Sequence, residues 1–173
     1  MSVVGNSGAG KSWLARRLAE RLGVPYLELD ALNHQPGWVP LPSEDLRAAV
    51  GQVTAGPGWV VDGNYGVVRE DLVWPRADTV VWLDLPRPAV ARQVVGRSLA
   101  RVLTGRELWN GNRESWRNLL SLNPTRSVIM WSWTSHRRYR RGYGVAARDP
   151  RWAHLRFVRL RSRREVGDFL SGR

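Results

Sequence analysis

The chain has 173 residues, 43% of them hydrophobic, and a formal net charge of +12, which predicts one soluble domain with a sizeable core. No apolar run approaches the ~20 residues of a membrane span, and no basic n-region with an apolar h-region opens the chain, so the expectation is a cytoplasmic protein without a membrane partner. Zero cysteines exclude disulfides, thiolate catalysis and cysteine-based metal sites.

The charge is unevenly spread. Residues 1–84 carry 7 basic and 10 acidic side chains, whereas residues 85–173 carry 20 arginines and 5 acidic side chains. Such asymmetry points to a polyanionic partner for the second half, either nucleotide phosphates or nucleic acid. A share of these arginines is expected simply to solvate the surface. Nothing in the sequence speaks to oligomeric state.

Taken in order, the chain opens with a short apolar strand, Ser2 to Val4. Gly5-Asn6-Ser7-Gly8-Ala9-Gly10-Lys11-Ser12 follows and fits G-x-x-x-x-G-K-S, the phosphate-binding P-loop. Chance would produce roughly 10⁻³ such matches in a chain of this composition, so the match is read as real. Glycines let backbone N–H groups turn inward around phosphate oxygens. Lys11 would reach the β- and γ-phosphates, and the Ser12 hydroxyl would ligate Mg²⁺. Lys11 is the only lysine among 27 basic residues. A helix over Lys11 to Leu22 would add its positive N-terminal dipole; Leu14, Leu18 and Leu22 share one face and Gly23 ends it.

Strand 2 is expected over Tyr26 to Asp30, then a Pro/Gly-rich loop from Leu32 to Pro42. Ser43 reads as the N-cap of a second helix, with Glu44 and Asp45 in its first turn. Strand 3 is Trp59 to Asp62, stopped by Gly63-Asn64. A short helical piece holds Arg69. Strand 4 is Thr79 to Asp84, followed by a helix from Ala89 to about Leu103 and a polar loop from Gly105 to Glu114. Helical stretches over 115–120 and 125–141, a fifth strand over His154 to Leu160 and a helix over 163–170 complete the chain. Strands alternate with helices and are continuous apolar runs, which argues an α/β fold with a parallel sheet covered on both faces.

Two carboxylates close apolar strands downstream of the P-loop. Asp62 is followed by Gly63, which permits close backbone approach to a ligand, and is the expected Mg²⁺ residue. Asp84 is followed by Leu85-Pro86 and reads as structural. Asp30, at the expected end of strand 2, either accepts a proton from a hydroxyl at the carboxyl edge of the sheet or merely starts a turn. Arg97, Arg101, Arg106 and Arg113 surround the 105–114 loop, which reads as a lid that closes on phosphates. Arg137, Arg138, Arg140 and Arg141 form a second cluster. Arg97 and Arg101 are i, i+4 partners, a spacing that repels unless an anion lies between. Trp59 and Trp82 belong to strands and are expected in the core; Trp109 either stacks on a base or packs.

These motifs together resemble the adenylate-kinase-like small P-loop kinases. Leu29-Asp30, Pro36-Gly37-Trp38, Val61-Asp62-Gly63-Asn64-Tyr65, Trp82-Leu83-Asp84 and Asn110-Gly111-Asn112-Arg113-Glu114 are similar, more narrowly, to bacterial P-loop proteins known as DNA topology modulation proteins. The likeness spans nearly the whole chain. It implies a five-stranded sheet in order 2-3-1-4-5 with helices on both faces and an arginine-rich lid. It also implies ATP and Mg²⁺ as cofactors. Adenine would lie between a lid arginine, Arg101, and the loop after strand 5 at Arg161. Adenylate kinases follow the Asp-Gly pair with Phe-Pro-Arg, whose arginine grips AMP; here Asn64-Tyr65-Gly66 stands instead, with the next arginine at Arg69.

The expected site thus comprises Lys11, Asp30, Arg97 and Arg101 as catalytic residues, Gly5 to Ser12 with Arg101 and Arg161 around ATP, and Ser12 and Asp62 on the metal. Asp30, Asn64, Tyr65, Arg69, Arg113 and Arg137 would face the acceptor. The leading functional expectation is transfer of the ATP γ-phosphate to a nucleotide, nucleoside or other small acceptor. The alternative is a nucleic-acid-associated ATP-binding protein, with weak nucleic-acid binding expected if the arginines serve a lid. A nucleotide-binding regulator without turnover is the third possibility.

Overall fold

Along β1 (Ser2–Gly5) every residue is buried, because this strand lies in the middle of a parallel sheet. The computed structural model describes residues 1–172. After β1 come α1 (Lys11–Leu22), β2 (Tyr26–Glu28), α2 (Leu29–Asn33), β3 (His34–Gln35), β4 (Val39–Pro40), α3 (Ser43–Thr54), β5 (Val60–Asp62) and α4 (Gly66–Val68). The second half holds β6 (Thr79–Leu83), α5 (Arg87–Thr104), α6 (Trp116–Leu119), α7 (Val128–Ala146), β7 (Arg156–Leu160) and α8 (Arg163–Ser171).

The main sheet runs β2-β5-β1-β6-β7, with all neighbours parallel. β3 and β4 pair antiparallel as a separate ribbon within the segment expected to be a Pro/Gly-rich loop. With the ribbon set aside, the five sheet strands follow the spatial order 2-3-1-4-5. Successive strand residues face opposite sides, and the core divides accordingly. Val4, Val61, Val80 and Trp82 face a layer containing α3, Trp74 and Tyr143 of α7. Val3, Val60, Val81 and Leu83 face α1, α5 and α8. Trp59 and Trp82 are both core residues.

Several boundaries differ from expectation. β2 stops at Glu28, and Asp30 lies in the first turn of α2 rather than at a strand end; Leu29, 1% exposed, turns into the core and ends the strand. Leu22 is exposed while Leu14 and Leu18 are buried. Each i+4 step drifts about 40° around a helix, so the third leucine leaves the sheet. Ser43 is the first helical residue, with Pro42 at the cap position and no side-chain cap bond. α5 begins at Arg87, with Pro88 in the first turn where its missing N–H costs nothing. α7 begins at Val128, capped by Ser127, whose hydroxyl accepts the Met130 N–H. β7 begins at Arg156, after a turn that takes up His154 and Leu155.

Candidate active site

β1 and β5 are neighbours, with Val3 paired to Asp62. That register brings the P-loop following β1 beside the carboxylate that ends β5. Gly8 has φ +81, and a Cβ there would meet Val94 of α5 at 2.0 Å; only glycine lets the loop pass under that helix. The Lys11 ammonium is buried and donates to the Asn6 carbonyl at 3.3 Å.

α7 clamps this loop from outside. The Asn6 amide donates to the Ser132 carbonyl and hydroxyl at 2.8 and 2.9 Å, and Ser135 Oγ donates to Asn6 Oδ1 at 3.0 Å. Ser132 Oγ donates in turn to the Ser7 carbonyl at 2.8 Å. Sequence reading missed these serines, because residues more than 120 positions apart have no local pattern.

Asp62 is 1% exposed. Burial pushes its carboxyl up to about 6, against the pull of the Lys11 ammonium and the Ser12 hydroxyl beside it. The Tyr26 hydroxyl donates to Asp62 Oδ2 at 3.3 Å. Lys11, Ser12 and Asp62 therefore meet at one place. No group of three or more His, Asp or Glu residues gathers among the described residues to hold a metal by itself. One hydroxyl and one carboxylate suit Mg²⁺, which keeps several waters and takes its other ligands from phosphates. Gly63 has φ +137, and a Cβ there would meet Leu29 at 2.8 Å, so the turn after Asp62 requires glycine. Asp84 is instead taken up by Arg159 and by Arg140 at 3.4 Å.

A cavity of about 700 Å³ opens from Ser7 and Lys11 and is walled by Asp30, Tyr65, Trp38, Trp109, Arg101 and Tyr139, among others. The Tyr65 hydroxyl donates to Asp30 Oδ1 at 2.8 Å. Asn64 reaches the cavity, but its amide is used internally. Its Nδ2 donates to the Gly5 carbonyl at 2.7 Å, and its Oδ1 accepts from Gly5 N–H and from the Tyr143 hydroxyl. It ties β1 to β5 instead of presenting free groups to an acceptor.

The arginines divide sharply. Arg101 lines the cavity and pairs with Glu114 at 2.7 Å, the anion that its spacing from Arg97 demanded. Burial, and then the Arg101 charge, lower the pKa of Arg97, whose Nε is buried with no partner. No carboxylate lies within 4 Å of Arg97 among the described residues. Arg69 turns away from the cavity to Glu70 at 2.6 Å and the Tyr143 hydroxyl at 3.3 Å, with its guanidinium over Trp74. Arg113 is exposed and lies 3.8 Å from Glu107; Arg137 is exposed on α7. Neither lines the cavity. Arg113 and Arg137 lie on the outer surface of a loop and a helix and keep their hydration there, whereas Arg69 is held by Glu70, Tyr143 and the Trp74 ring.

The 105–114 loop is docked on the β3–β4 ribbon. Asn110 Nδ2 donates to the carbonyls of His34 and Ala31 at 2.7 and 3.1 Å. Asn112 Nδ2 donates to the Gln35 carbonyl at 2.9 Å and its Oδ1 accepts the Trp38 N–H at 2.9 Å. Trp109 stacks on His34. Asparagines, not arginines, make the side-chain hydrogen bonds of this loop with the ribbon.

A second cavity of about 290 Å³ lies at the far end of the P-loop, between Ala9, Gly10, Trp13, Gln93, Arg163 and Val166. Arg163 donates to Gln93 Oε1 at 3.1 Å. Arg161 is outside it, with its backbone N–H on Glu165 in the cap of α8. After β7 it is Arg163, two residues beyond Arg161, that lines this cavity, because the Ser162–Glu165 capping pair turns the chain there.

A parallel sheet with a P-loop sequence after its central strand is the architecture of the P-loop α/β fold. No protein-family model and no curated protein sequence matches the chain. Among solved structures, it is similar to a gluconokinase from Sinorhizobium meliloti 1021, at 22% identity and TM-score 0.50, covering 99% of this chain and 90% of that one. It is also similar to a deoxyadenosine kinase from M. mycoides with bound dATP, at 11% identity and TM-score 0.50, covering 99% and 97%. A shikimate kinase from Bacteroides thetaiotaomicron matches at 15% identity and TM-score 0.47, covering 99% and 93%. The fold is that of the small P-loop kinases. None of these three is a DNA topology modulation protein, so that narrower resemblance rests on sequence motifs alone.

Proposed function

We propose that the chain is an ATP- and Mg²⁺-dependent phosphotransferase of the adenylate-kinase-like kind, acting on a nucleotide, nucleoside or other small acceptor. One observation carries this reading: Lys11 and Ser12 meet the Asp62 carboxylate, and Lys11 lines a cavity whose wall also holds Asp30. Backbone N–H groups of residues 5–12 and Lys11 would cradle the phosphates. Ser12 and Asp62 would hold Mg²⁺, which neutralises charge on the β- and γ-phosphate oxygens when bound. The 290 Å³ cavity beside Trp13 and Gln93 would take the base. Arg97, a half-buried cation next to Arg101 with its Nε unpartnered, would meet the charge that builds on the transferred group. Asp30, oriented by Tyr65, would receive the proton of an acceptor hydroxyl.

ATP consumption screened against nucleotides, nucleosides, sugars and DNA, with products read by mass, tests this. A phosphorylated small molecule is the expected product. Consumption stimulated by DNA alone would favour the second reading, a nucleic-acid-associated ATP-binding protein. What favours that second reading is the exposed face of α7, where Trp133 is 45% exposed and Arg137 and Arg138 are also exposed. Among the described residues no helix is long and apolar enough to cross a membrane.

A further inference from the structure

We propose that the acceptor is a hydroxyl compound carrying no phosphate, held against an aromatic wall that the 105–114 loop keeps in place. The inference rests on the kinase reading and narrows its acceptor.

A phosphate on the acceptor needs charge-assisted donors on its own wall. Arg69 is committed to Glu70 and Tyr143, and Arg101 to Glu114. Arg113 and Arg137 stand outside the cavity. Arg97 has no carboxylate partner but does not line the cavity, and Arg126 lines it without a carboxylate within 4 Å but is exposed, where a single solvated guanidinium holds an anion only weakly. The wall instead presents the Asp30 carboxylate, which repels a phosphate dianion and suits a hydroxyl.

The second observation is the aromatic wall and the strain stored in it. His34 and Trp109 stack with centroids 5.6 Å apart, and Trp38 meets His34 edge-on at 5.3 Å. All three line the cavity. Trp38 has φ +63, a left-handed conformation that a bulky residue adopts only as a genuine outlier. Such strain persists where the surroundings over-determine it, and it concentrates at ligand sites. Here the surroundings are Asn112, 4% exposed, which accepts the Trp38 N–H and donates to the carbonyls of Gln35 and His34. Asn110 adds two further bonds to the same segment. Two asparagines thus hold three rings at the cavity edge, where an aromatic surface accepts the flat face of a base or sugar. They are positioning residues, acting through Trp38 and His34.

The step balances without another reactant. The acceptor oxygen forms a bond to the γ-phosphorus as the bond from that phosphorus to the β,γ-bridging oxygen breaks. ADP leaves, and the hydroxyl proton passes to Asp30.

The test uses the full chain with ATP and Mg²⁺. Adenosine, D-glucose and D-gluconate are compared with AMP and glucose 6-phosphate, and ATP binding is followed by calorimetry. An unphosphorylated compound should be preferred by at least about tenfold in kcat/KM. Asn112→Ala, and Asn110→Gly, which keeps the left-handed backbone, should raise the KM of that compound about tenfold, the scale of a lost stacking surface, with the KM for ATP unchanged. Preference for AMP or glucose 6-phosphate overturns the inference. So does turnover of neither set by a protein that binds ATP, or an unchanged acceptor KM in both folded variants. Absence of ATP binding fails the kinase reading, and this narrowing with it.

Discussion

The Tyr65 hydroxyl donates a 2.8 Å hydrogen bond to the Asp30 carboxylate across the cavity wall, leaving the other carboxylate oxygen for an acceptor. Asp30→Asn keeps the shape and removes the base. Turnover should fall by about 10²–10⁴-fold, the usual contribution of a general base, with ATP affinity little changed. Steady-state turnover and calorimetric ATP binding on the same variant decide it. Full turnover would leave Asp30 as a turn residue, and lost ATP binding would move it to the metal site.

Lys11 is buried against the Asn6 carbonyl at the centre of the P-loop. Lys11→Ala should abolish ATP–Mg²⁺ turnover while circular dichroism remains that of the wild type. Undiminished turnover in this variant rejects the P-loop as the ATP site.

The pH dependence follows from Asp62. Burial raises its carboxyl from the ordinary 3.8 to about 6. The folded chain therefore holds this proton more tightly than the unfolded chain, so the associated stability is fully present below about pH 3.8 and is lost as pH rises through about 6. At neutral pH the buried carboxylate costs about 2–3 kcal/mol. Asp62→Asn should accordingly stabilise the ligand-free protein in urea at pH 8 while losing Mg²⁺-dependent turnover. In the wild type, Mg²⁺ affinity should weaken as pH falls through about 6. Urea midpoints that fall in Asp62→Asn would contradict this assignment.

Ser132 joins α7 to the P-loop through the Asn6 amide and the Ser7 carbonyl. Ser132→Ala leaves the part-buried Ser7 carbonyl without its donor, which should cost about 0.5–1.5 kcal/mol in urea unfolding and weaken ATP binding. Wild-type values of both would mean that the loop holds its shape without the helix.

The basic second half should bind DNA only weakly, with Kd about 10⁻⁴–10⁻⁶ M and a steep loss with salt. Fluorescence anisotropy over a salt series measures it. Submicromolar binding retained at roughly 200 mM salt would promote the nucleic-acid reading above the kinase reading.

Local chemistry was enough to place the P-loop, α1, the apolar strands and the Gly63 turn. A phosphate-binding loop, an apolar run and a glycine at positive φ each leave their mark within a few residues of sequence. The choice between Asp62 and Asp84 was half legible, from the residue after each. What separates them is three-dimensional: Arg159 and Arg140 reach Asp84, whereas Lys11 and Ser12 meet Asp62. The roles of the arginines lay beyond any local pattern. Arg69, Arg113 and Arg137 have the charge expected of acceptor ligands, yet helix rotation and loop docking point them elsewhere. The same holds for the Asn110–Asn112 latch on the ribbon and the Ser132–Ser135 clamp on Asn6, which join segments more than 70 residues apart. Periodicity and motif spacing report what neighbours along the chain do; hydrogen bonds between distant segments exist only once the sheet has set their register.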